Sequence, residues 1–455
     1  MRLLLVNPPL PSGLSSNFLL PPLGLAYLAS VASSSGHEVS ILDCPALGIE
    51  MDDLAGHVQP GGFDIIGLTG TFQQAKEVAD AAQILGAKSK FLIAGGPYAT
   101  SAPEDFFSRV SKVDLLVRGE AEDLLPELMS TLERGDDPSN LDGVALPNRP
   151  AAIRRPGPNP DRLPRPARWM LPWKNYRHPL AESKPIATMI TSRGCSHACT
   201  FCDRSVTGNR WRAREPDDVV DEMLELVAAG YRQTIIYDDD FLADPERAAK
   251  ICEGLCMAGS PISWSCEARP EKRDKALYKF LKRAGCRQIA FGVDAGTQTG
   301  LDELKKGLDV NEIEIEFRHA KESNLDILAY FIIGLESEPP LRLDCLKYAL
   351  KLDPDFAQFS VLEAYPGSSL WRKWRGMERD VEQKAVLGPA DLGPGRKNVY
   401  YPANVLKKAL KRSYIGFYAR PGYMLRRMAG VSSLVQLSGL VQAAERLASW
   451  SLGLK

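Results

Sequence analysis

Short apolar runs alternate with longer segments of helical period along the first 145 residues. The runs that read as strands are Arg2–Asn7, Glu38–Asp43, Ile65–Thr69, Phe91–Ala94 and Leu115–Arg118. Helices are predicted between them, for example over Leu23–Ser35 and Phe72–Leu85. Strands that alternate with helices are typical of a parallel, doubly wound sheet. The pattern therefore predicts an α/β domain, Rossmann-like in its winding, over residues 1–145.

Residues 146–182 lose this pattern and are rich in Pro and Arg, so they are predicted to be a linker. From Lys184 onward the alternation returns with six strand-like runs, at Ile186–Thr191, Thr234–Asp238, Ile262–Cys266, Gln288–Val293, Ile327–Gly334 and Ala357–Leu362. Six such units predict a partial (β/α)6 barrel over residues 183–374.

Residues 375–455 differ in composition and are predicted to form a mainly helical, basic region. From Asn404 to Lys455 there are nine Lys or Arg residues and one acidic residue, Glu445. Apolar residues recur there near helical spacing. The plainer interpretation is a helical cap on the open side of the barrel. The alternative is contact of 404–455 with an anionic membrane surface or an amphiphilic substrate.

The overall composition is that of a soluble enzyme. The chain has 455 residues, of which 44% are hydrophobic and 25% charged, and its net charge of −1 gives no general attraction to nucleic acid. Nine cysteines, without an N-terminal apolar leader, predict reduced thiols and a cytoplasmic location. No run approaches the ~20 apolar residues that a membrane-spanning helix needs.

Three cysteines, Cys195, Cys199 and Cys202, lie in the run Thr191-Ser-Arg-Gly-Cys-Ser-His-Ala-Cys-Thr-Phe-Cys-Asp203. Three thiolates from one loop suit an iron–sulfur cube in which one iron stays open for a small molecule. The loop directly follows the first predicted barrel strand, where barrel chemistry collects. Structural zinc is the alternative. Its obvious fourth ligand, His197, lies inside the loop, however, and no Cys-x2-Cys pair follows at finger distance.

The strand ends of the first domain carry glycine-rich segments, where the ligands of doubly wound sheets bind. They are Thr69-Gly-Thr71, Gly95-Gly-Pro-Tyr98 and Gly119-Glu120. A Gly-x-Gly-x-x-Gly phosphate loop is absent, so a dinucleotide is not supported.

With Phe201 before its last cysteine, the cysteine run resembles the signature of the radical S-adenosylmethionine (SAM) superfamily. The segments Asn7-Pro-Pro9, Gly95-Gly-Pro-Tyr-Ala-Thr100 and Arg118-Gly-Glu-Ala-Glu122 resemble the cobalamin-binding domain that precedes the radical domain in the B12-dependent radical SAM family. This resemblance covers most of residues 1–145 and roughly 184–370. It implies three cofactors: a [4Fe–4S] cluster held by the three cysteines, SAM, and cobalamin.

The resemblance also implies which residues contact the cofactors. SAM is expected at Phe201, Asp239, Arg269 and Asp294, although Arg269 is nearly as often an ion-pair partner at such a position. Asp238, Asp239 and Asp240 could alternatively hold a metal of their own. Cobalamin is expected at Thr69, Gly70, Thr71, Phe72, Gly95, Gly96, Pro97, Tyr98, Gly119 and Glu120.

Three features depart from the family patterns. The chain has Gly292-Val-Asp294 in place of Gly-Ile-Glu, and Gly334-Leu-Glu-Ser-Glu338 in place of Gly-Leu-Pro-Gly-Glu. It also lacks the Asp-x-His-x-x-Gly motif that places an imidazole on cobalt. The lower face of the corrin is then bare, hydrated or covered by Thr69, Thr71 or Phe72. A degenerate domain that binds no corrinoid is the alternative.

The implied function is C-methylation of an unactivated carbon of a small molecule, using methylcobalamin and a 5′-deoxyadenosyl radical. One alternative is a B12-dependent radical SAM cyclase or rearrangement enzyme that transfers no methyl group. Another is a radical SAM enzyme with a degenerate B12 domain. A non-catalytic cobalamin sensor would leave the cysteine triad unexplained.

The expected partners are a small-molecule substrate, amphiphilic or anionic, and an external electron donor of the flavodoxin or ferredoxin type. Nucleic acid is not expected, and peripheral membrane contact is assigned only to residues 404–455. No catalytic residue is predicted beyond the cluster. The remaining cysteines of the second half are expected to pack as small hydrophobes: Cys252, Cys256, Cys266, Cys286 and Cys345.

Overall fold

The computed structural model describes residues 1–11, 18–147, 149, 155–181, 183–379 and 398–429. The chain divides into two compact units. The first comprises Met1–Arg177, Cys202–Arg212 and the segment that begins at Tyr365, and the second comprises His178–Phe201, Ala213–Ala364 and the C-terminal segment. Of the predicted basic region 375–455, residues 380–397 and 430–455 lie outside the described part. The predicted domain bounds remain a prediction.

The first unit is built on one six-stranded sheet. Its strands are β1 Arg2–Asn7, β2 Glu38–Asp43, β3 Phe63–Thr69, β4 Ser89–Gly95, β5 Leu115–Val117 and β6 Val144–Ala145. The spatial order is β2-β1-β3-β4-β5-β6, and every pair is parallel except β5 with β6. The strand order reverses between β1 and β3, so ligands of such a sheet bind beyond the carboxyl ends of these strands.

Helices cover both faces of this sheet. They are α1 Leu23–Ser34, α2 Cys44–Leu47, α3 Leu54–His57, α4 Ala75–Leu85, α5 Gly96–Ser101, α6 Pro103–Arg109 and α7 Leu124–Arg134. The unit also contains a helix at Ser369–Arg379. Along β1, Leu4 and Val6 join the core under α4 to α6, whereas Leu3 and Leu5 join the core under α1 and α7. Continuous apolar strands therefore mark a sheet that is buried on both sides, as predicted.

The predicted linker packs against the first unit where it is described. The Ala167 amide donates to the Ala26 carbonyl at 2.9 Å, and the Tyr176 hydroxyl donates to Asp43 at 2.8 Å. The side chain of Asn175 donates to the Ala46 carbonyl at 2.7 Å. Residues 155–177 are thus part of the first compact unit.

The second unit is a curved parallel sheet with helices between its strands. The strands are β7 Ile186–Met189, β8 Gln233–Ile236, β9 Ser263–Ala268, β10 Cys286–Asp294, β11 Asp326–Ile333 and β12 Phe356–Val361, in the order β12-β11-β10-β9-β8-β7. The helices are α8 Pro216–Ala228, α9 Pro245–Met257, α10 Lys275–Arg283, α11 Gln298–Glu303, α12 Val310–Glu322 and α13 Asp344–Leu352. Six parallel strands in sequential order are the predicted partial (β/α)6 barrel.

The two faces of this sheet differ in chemistry. On β9 the Trp264 indole donates to the Ala284 carbonyl at the end of α10 (2.8 Å), and Trp264 packs edge-on against Phe241. Cys266 lies on the same helix-covered face, where it is fully buried beside Cys252 and Cys286. Because side chains alternate along a strand, Glu267 and Arg269 point to the opposite, inner face.

Two helices after the barrel cover its edge strand β12. They are α14 Ala403–Tyr418 and α15 Pro421–Ala429. The hydroxyls of Tyr414 and Tyr418 donate to the backbone carbonyls of Phe359 and Ala357 at 3.0 and 2.8 Å. These bonds satisfy backbone groups that an edge strand would otherwise expose. Within the described residues, no helix is both long and apolar enough to cross a bilayer.

Candidate active site

The cysteine loop begins directly after β7, at the carboxyl edge of the barrel sheet. Cys195, Cys199 and Cys202 take part in no disulfide and all three are partly exposed. The start of the loop is held by the buried carboxylate of Asp238, which accepts from the Thr191 amide at 2.6 Å and from the Ser192 hydroxyl at 2.7 Å. Three accessible thiols on one anchored loop suit a cluster with one open iron.

Arg269, at the end of β9, connects this loop to two other segments. Its Nη1 donates to the Cys199 sulfur at 3.5 Å, its Nε donates to Glu271 Oε1 at 2.7 Å, and its Nη2 donates to the Lys306 carbonyl. The Thr200 amide donates to the Leu304 carbonyl at 2.9 Å. The turn after α11 and the end of β9 therefore both fix the cysteine loop.

The geometry does not favour a zinc site. Across the described residues, one trio of potential metal ligands has donor atoms within 4.8 Å of one another, namely His197, Asp240 and Glu271, and it contains no cysteine. Structural zinc needs four ligands in a tight tetrahedron. The imidazole of His197 instead lies 3.4 Å from Glu271, which is also bonded to Arg269.

The predicted SAM residues have different environments. Asp294 is buried and ion-paired with the buried Lys306, and its φ of 70° marks a bulge at the end of β10. The Lys306 ammonium lies 6.0 Å from the ring centre of Phe201. Asp239 is exposed, between the buried Asp238 and Asp240. Asp244, which follows this triplet, accepts from the Arg247 amide and caps α9.

The inner face also carries polar groups besides the predicted SAM residues. The Tyr330 hydroxyl on β11 donates to Glu267 Oε1 at 3.4 Å, and Tyr237 follows β8 on the same face. The pKa of Glu267 is raised to about 7, mainly by burial and to a lesser degree by the nearby carboxylates Asp239 and Asp238, while the hydrogen bond from Tyr330 opposes the rise. The only signal in the sequence was the spacing of two residues between Glu267 and Arg269, which places both on one face of a strand.

In the first unit, glycines allow the ends of β3 and β4 to approach each other closely. A Cβ on Gly70 would lie 2.3 Å from the Val78 side chain, and one on Gly96 would lie 2.6 Å from Thr69 Oγ1. Gly96 has φ +86°, which favours glycine, and the Tyr98 amide donates to the Gly70 carbonyl at 3.2 Å. The result is a carboxyl edge lined by backbone at β3, which borders the switch point of the sheet, and at its neighbour β4, and such an edge suits the approach of a large flat ligand.

Other predicted cobalamin residues have structural partners in this unit. Phe72 packs edge-on against Tyr98 and against Trp371, with ring centres 5.1 and 6.1 Å apart. Tyr98 is fully buried. Glu120 is buried and ion-paired with Arg212 at 2.5 Å.

The smaller members of the predicted set lie around these residues. Thr71 forms a capping box with Gln74 ahead of α4, the Gly119 amide donates to Thr100 at 3.0 Å, and Pro97 is in the first turn of α5. Buried Tyr98 and Glu120 would have to contact a ligand through backbone, whereas Thr69 and Thr71 lie at the glycine-lined edge.

Both halves of the chain match models of known protein families. The model of the Radical SAM superfamily matches residues 189–343, and the B12 binding domain model matches residues 12–129. An uncharacterized methyltransferase of Pyrococcus horikoshii is 30% identical over 444 residues, which are 94% of this chain and 94% of that protein.

More distant curated relatives differ in reaction. An anaerobic magnesium-protoporphyrin IX monomethyl ester cyclase of Cereibacter sphaeroides is 28% identical, over 82% of this chain and 64% of that protein. The hopanoid C-3 methylase of Methylococcus capsulatus is 25% identical, over 77% of this chain and 68% of that protein.

Two solved structures share the fold. The cobalamin-dependent radical enzyme OxsB superposes with a TM-score of 0.73 at 19% identity, covering 98% of this chain and 71% of that chain. The radical SAM methyltransferase TsrM of Kitasatospora setae gives 0.68 at 20% identity, covering 91% and 85%. The predicted fold class is confirmed.

The matches also confirm the predicted enzyme class and the three cofactors: a [4Fe–4S] cluster, SAM and cobalamin. The B12-binding model matches the first part of the chain and the radical SAM model matches the second part. The similarity to the Pyrococcus methyltransferase extends over nearly the whole length of both proteins. The chain therefore belongs to the cobalamin-dependent radical SAM family.

Proposed function

We propose that this enzyme is a C-methyltransferase that acts on an unactivated carbon of a small molecule. The observation that carries the proposal is the loop after β7, where Cys195, Cys199 and Cys202 are partly exposed and take part in no disulfide. The named methyltransferases among its relatives support methyl transfer as the reaction. When bound, the cofactors supply a radical for hydrogen abstraction and a transferable methyl group.

The three cysteines would hold the cluster, and the residues around them would orient SAM. Phe201, inside the cysteine loop, and Asp239, which is exposed at the end of β8, offer an aromatic face and a carboxylate at the same edge of the sheet. Asp294 already binds Lys306, so we propose that it acts as one half of a buried ion pair beside Phe201. Fixed charges need no reorganisation when a cationic cofactor binds.

The inner face of the barrel would hold the substrate carbon near the site of radical formation and keep water away from it. Gly292 leaves space on β10 between Glu267 on β9 and Tyr330 on β11, and an added Cβ there would lie 3.1 Å from the Lys306 ammonium. Helices cover the outer face of the sheet and α14 covers its edge strand, which leaves the inner face for the substrate. Exclusion of water from that face would protect a reactive intermediate.

Cobalamin would lie against the glycine-lined edge formed by Thr69, Gly70, Gly95 and Gly96. Thr71, Phe72, Pro97, Tyr98, Gly119 and Glu120 complete the proposed set, the buried ones through their backbone. The described residues include no Asp-x-His-x-x-Gly segment, so a lower ligand from a histidine is not part of the proposal.

The substrate is proposed to be an amphiphilic small molecule. Glu267 and Asp239 put carboxyl groups on the inner face, and Arg269 on that face is already bonded to Glu271 and to the Lys306 carbonyl, which favours an uncharged polar group of the substrate over an anionic one there. An external electron donor, such as a flavodoxin or ferredoxin type protein, would reduce the cluster. Membrane contact through 404–455 is proposed only as a route for such a substrate, and residues 430–455 lie outside the described part of the chain.

A second candidate function is cyclisation without methyl transfer, since the cyclase of Cereibacter sphaeroides is 28% identical to this chain. The two reactions differ in the fate of the SAM methyl group. A methyltransferase converts SAM to S-adenosylhomocysteine as well as to 5′-deoxyadenosine, whereas a cyclase needs only the second product.

The assignment of the cluster can be tested by replacing each of the three cysteines with Ala. We expect Cys195→Ala, Cys199→Ala and Cys202→Ala each to lose most of the bound iron and all reductive SAM cleavage after anaerobic reconstitution. Cys256→Ala is the matched control, because Cys256 is also partly exposed, takes part in no disulfide and lies on α9. If the three variants kept the iron and cleavage of the control, the proposed cluster site would be wrong.

A further inference from the structure

Arg269 makes three contacts that together aim its guanidinium at a cysteine sulfur. Its side chain is buried, with 5% exposure. Nη1 lies 3.5 Å from the Cys199 sulfur, while Nε and Nη2 are bonded to Glu271 and to the Lys306 carbonyl. A planar guanidinium with two of its nitrogens held in this way has little freedom to turn the third away from Cys199.

Glu271 is itself held by two arginines and lies beside an imidazole. It lies 2.7 Å from Arg269 Nε, 3.4 Å from the His197 imidazole and 3.9 Å from Arg273. Arg273 is buried and donates to the carbonyls of Arg269 and Leu242 at 2.6 and 3.0 Å. Glu271 is therefore a fixed acceptor, and it holds Arg269 against the cysteine loop.

The other anchor of Arg269 belongs to the turn that also holds the loop. The Lys306 carbonyl accepts from Arg269, and two residues earlier the Leu304 carbonyl accepts from the Thr200 amide. Thr200 is the neighbour of Cys199 in the chain. The arginine and the cysteine are thus fixed to the same turn, and their separation does not depend on a mobile side chain.

We propose that Arg269 tunes the cluster by donating a charge-assisted hydrogen bond to the Cys199 thiolate, and that Glu271 is its positioning residue. Hydrogen bonds to the sulfurs and nearby charges set the reduction potential of an iron–sulfur cluster. A buried cation beside a ligand sulfur stabilises the reduced, more negative cluster. This role differs from the SAM contact predicted from the sequence, and it rests on the proposed assignment of the three cysteines as cluster ligands.

The test is a redox titration of the reconstituted holoenzyme without SAM, followed by the electron paramagnetic resonance signal of the reduced cluster. At a fixed potential near the midpoint, we expect Arg269→Gln to lower the ratio of reduced to oxidised cluster about tenfold. This change corresponds to a fall of ~59 mV in the midpoint potential of a one-electron couple. Arg269→Lys keeps the charge but loses the planar guanidinium, and Glu271→Gln weakens the contact that positions Arg269. The ratio of reduced to oxidised cluster in both variants should therefore lie between those of wild type and Arg269→Gln.

Arg283→Gln is the matched control. It removes the same charge from an exposed arginine at the end of α10, beside the start of β10, and it should leave the ratio unchanged. Iron content is measured first in every variant. If Arg269→Gln fails to hold the cluster, Arg269→Lys and Glu271→Gln decide the question, and an unchanged ratio in both would overturn the proposal.

SAM binding separates this role from a direct contact with SAM. We expect the lowered ratio to appear without SAM, and the affinity for SAM to change less than about threefold. An unchanged ratio together with SAM affinity reduced tenfold or more would assign Arg269 to SAM and overturn the proposal. A wild-type protein that binds no iron would instead refute the cluster assignment itself.

Discussion

Glu267 should destabilise the barrel unit when it ionises. It is a carboxyl group on the inner face of β9 that accepts one long hydrogen bond, 3.4 Å from the Tyr330 hydroxyl. The groups that face it are Tyr330, Tyr237, Asp238 and Asp239, and none of these is a cation. Burial raises its pKa from the ordinary 4.5 to about 7. Each pH unit of such a difference is worth ~1.4 kcal/mol, so the ionised group costs the fold roughly 3 kcal/mol.

The sign of the pH dependence follows from this raised pKa. Below the pKa of the unfolded chain, Glu267 is protonated in both states and adds no cost. As the pH rises from 4.5 to about 7 the folded chain keeps a proton that the unfolded chain releases, so stability falls across this window. Glu267→Gln keeps an acceptor for Tyr330 and cannot ionise. It should therefore match wild type at about pH 4.5 and be more stable by about 2 to 3 kcal/mol at about pH 8.

Two assays check this reasoning. Hydrogen exchange of the β9 peptide at increasing urea concentrations gives the stability of the barrel unit alone, which avoids assuming that the two units unfold together. An infrared titration should show a carboxyl band that disappears near neutral pH in wild type and is missing in Glu267→Gln. Equal stability of the two proteins at both pH values, or the absence of such a band, would contradict the raised pKa of Glu267. Glu253→Gln, at an exposed position of α9, is the control.

Further substitutions test the two units separately. Gly96→Ala places a Cβ 2.6 Å from Thr69 Oγ1 at φ +86°, whereas Gly36→Ala has the same φ and no atom within 4 Å. Thermal unfolding should show a loss of about 1 kcal/mol for the control and more for Gly96→Ala, and equilibrium dialysis should show corrinoid affinity reduced at least about tenfold only in the latter. In the barrel, Lys306→Met leaves the buried Asp294 unpaired and should cost about 3 to 5 kcal/mol in urea unfolding. The double variant Lys306→Met, Asp294→Asn should recover much of the stability lost in Lys306→Met. If the stability losses of the two single variants simply added in the double variant, the ion pair would be contradicted.

Local signals in the sequence predicted most of the fold. Apolar runs with the period of a buried strand predicted β1, and the same reasoning located the six barrel strands to within a few residues, because strand propensity and turn residues act over short distances. The helix predicted from Phe72 begins as an α-helix only at Ala75. Thr71 and Gln74 form a capping box around a 3₁₀ turn there, which shifts the start by three residues.

Contacts that depend on long-range packing could not be predicted. The spacing of the cysteines identified the loop, but nothing local indicated that Arg269, seventy residues after Cys199, would donate to its sulfur. The pairing of Lys306 with Asp294 depends on the turn after α11, and the raised pKa of Glu267 depends on strands on both sides of β9. Residue type predicts the chemistry that a side chain can perform, whereas its partners follow from the fold.

The measurement that tests the central claim most directly is the product pattern of the reconstituted enzyme. The protein is loaded anaerobically with iron, sulfide and hydroxocobalamin, and then given a reductant and SAM. A cobalamin-dependent methyltransferase should bind about four irons per chain and retain cobalamin, and it should form both 5′-deoxyadenosine and S-adenosylhomocysteine. Formation of 5′-deoxyadenosine alone, by a protein that retains no corrinoid, would contradict this assignment.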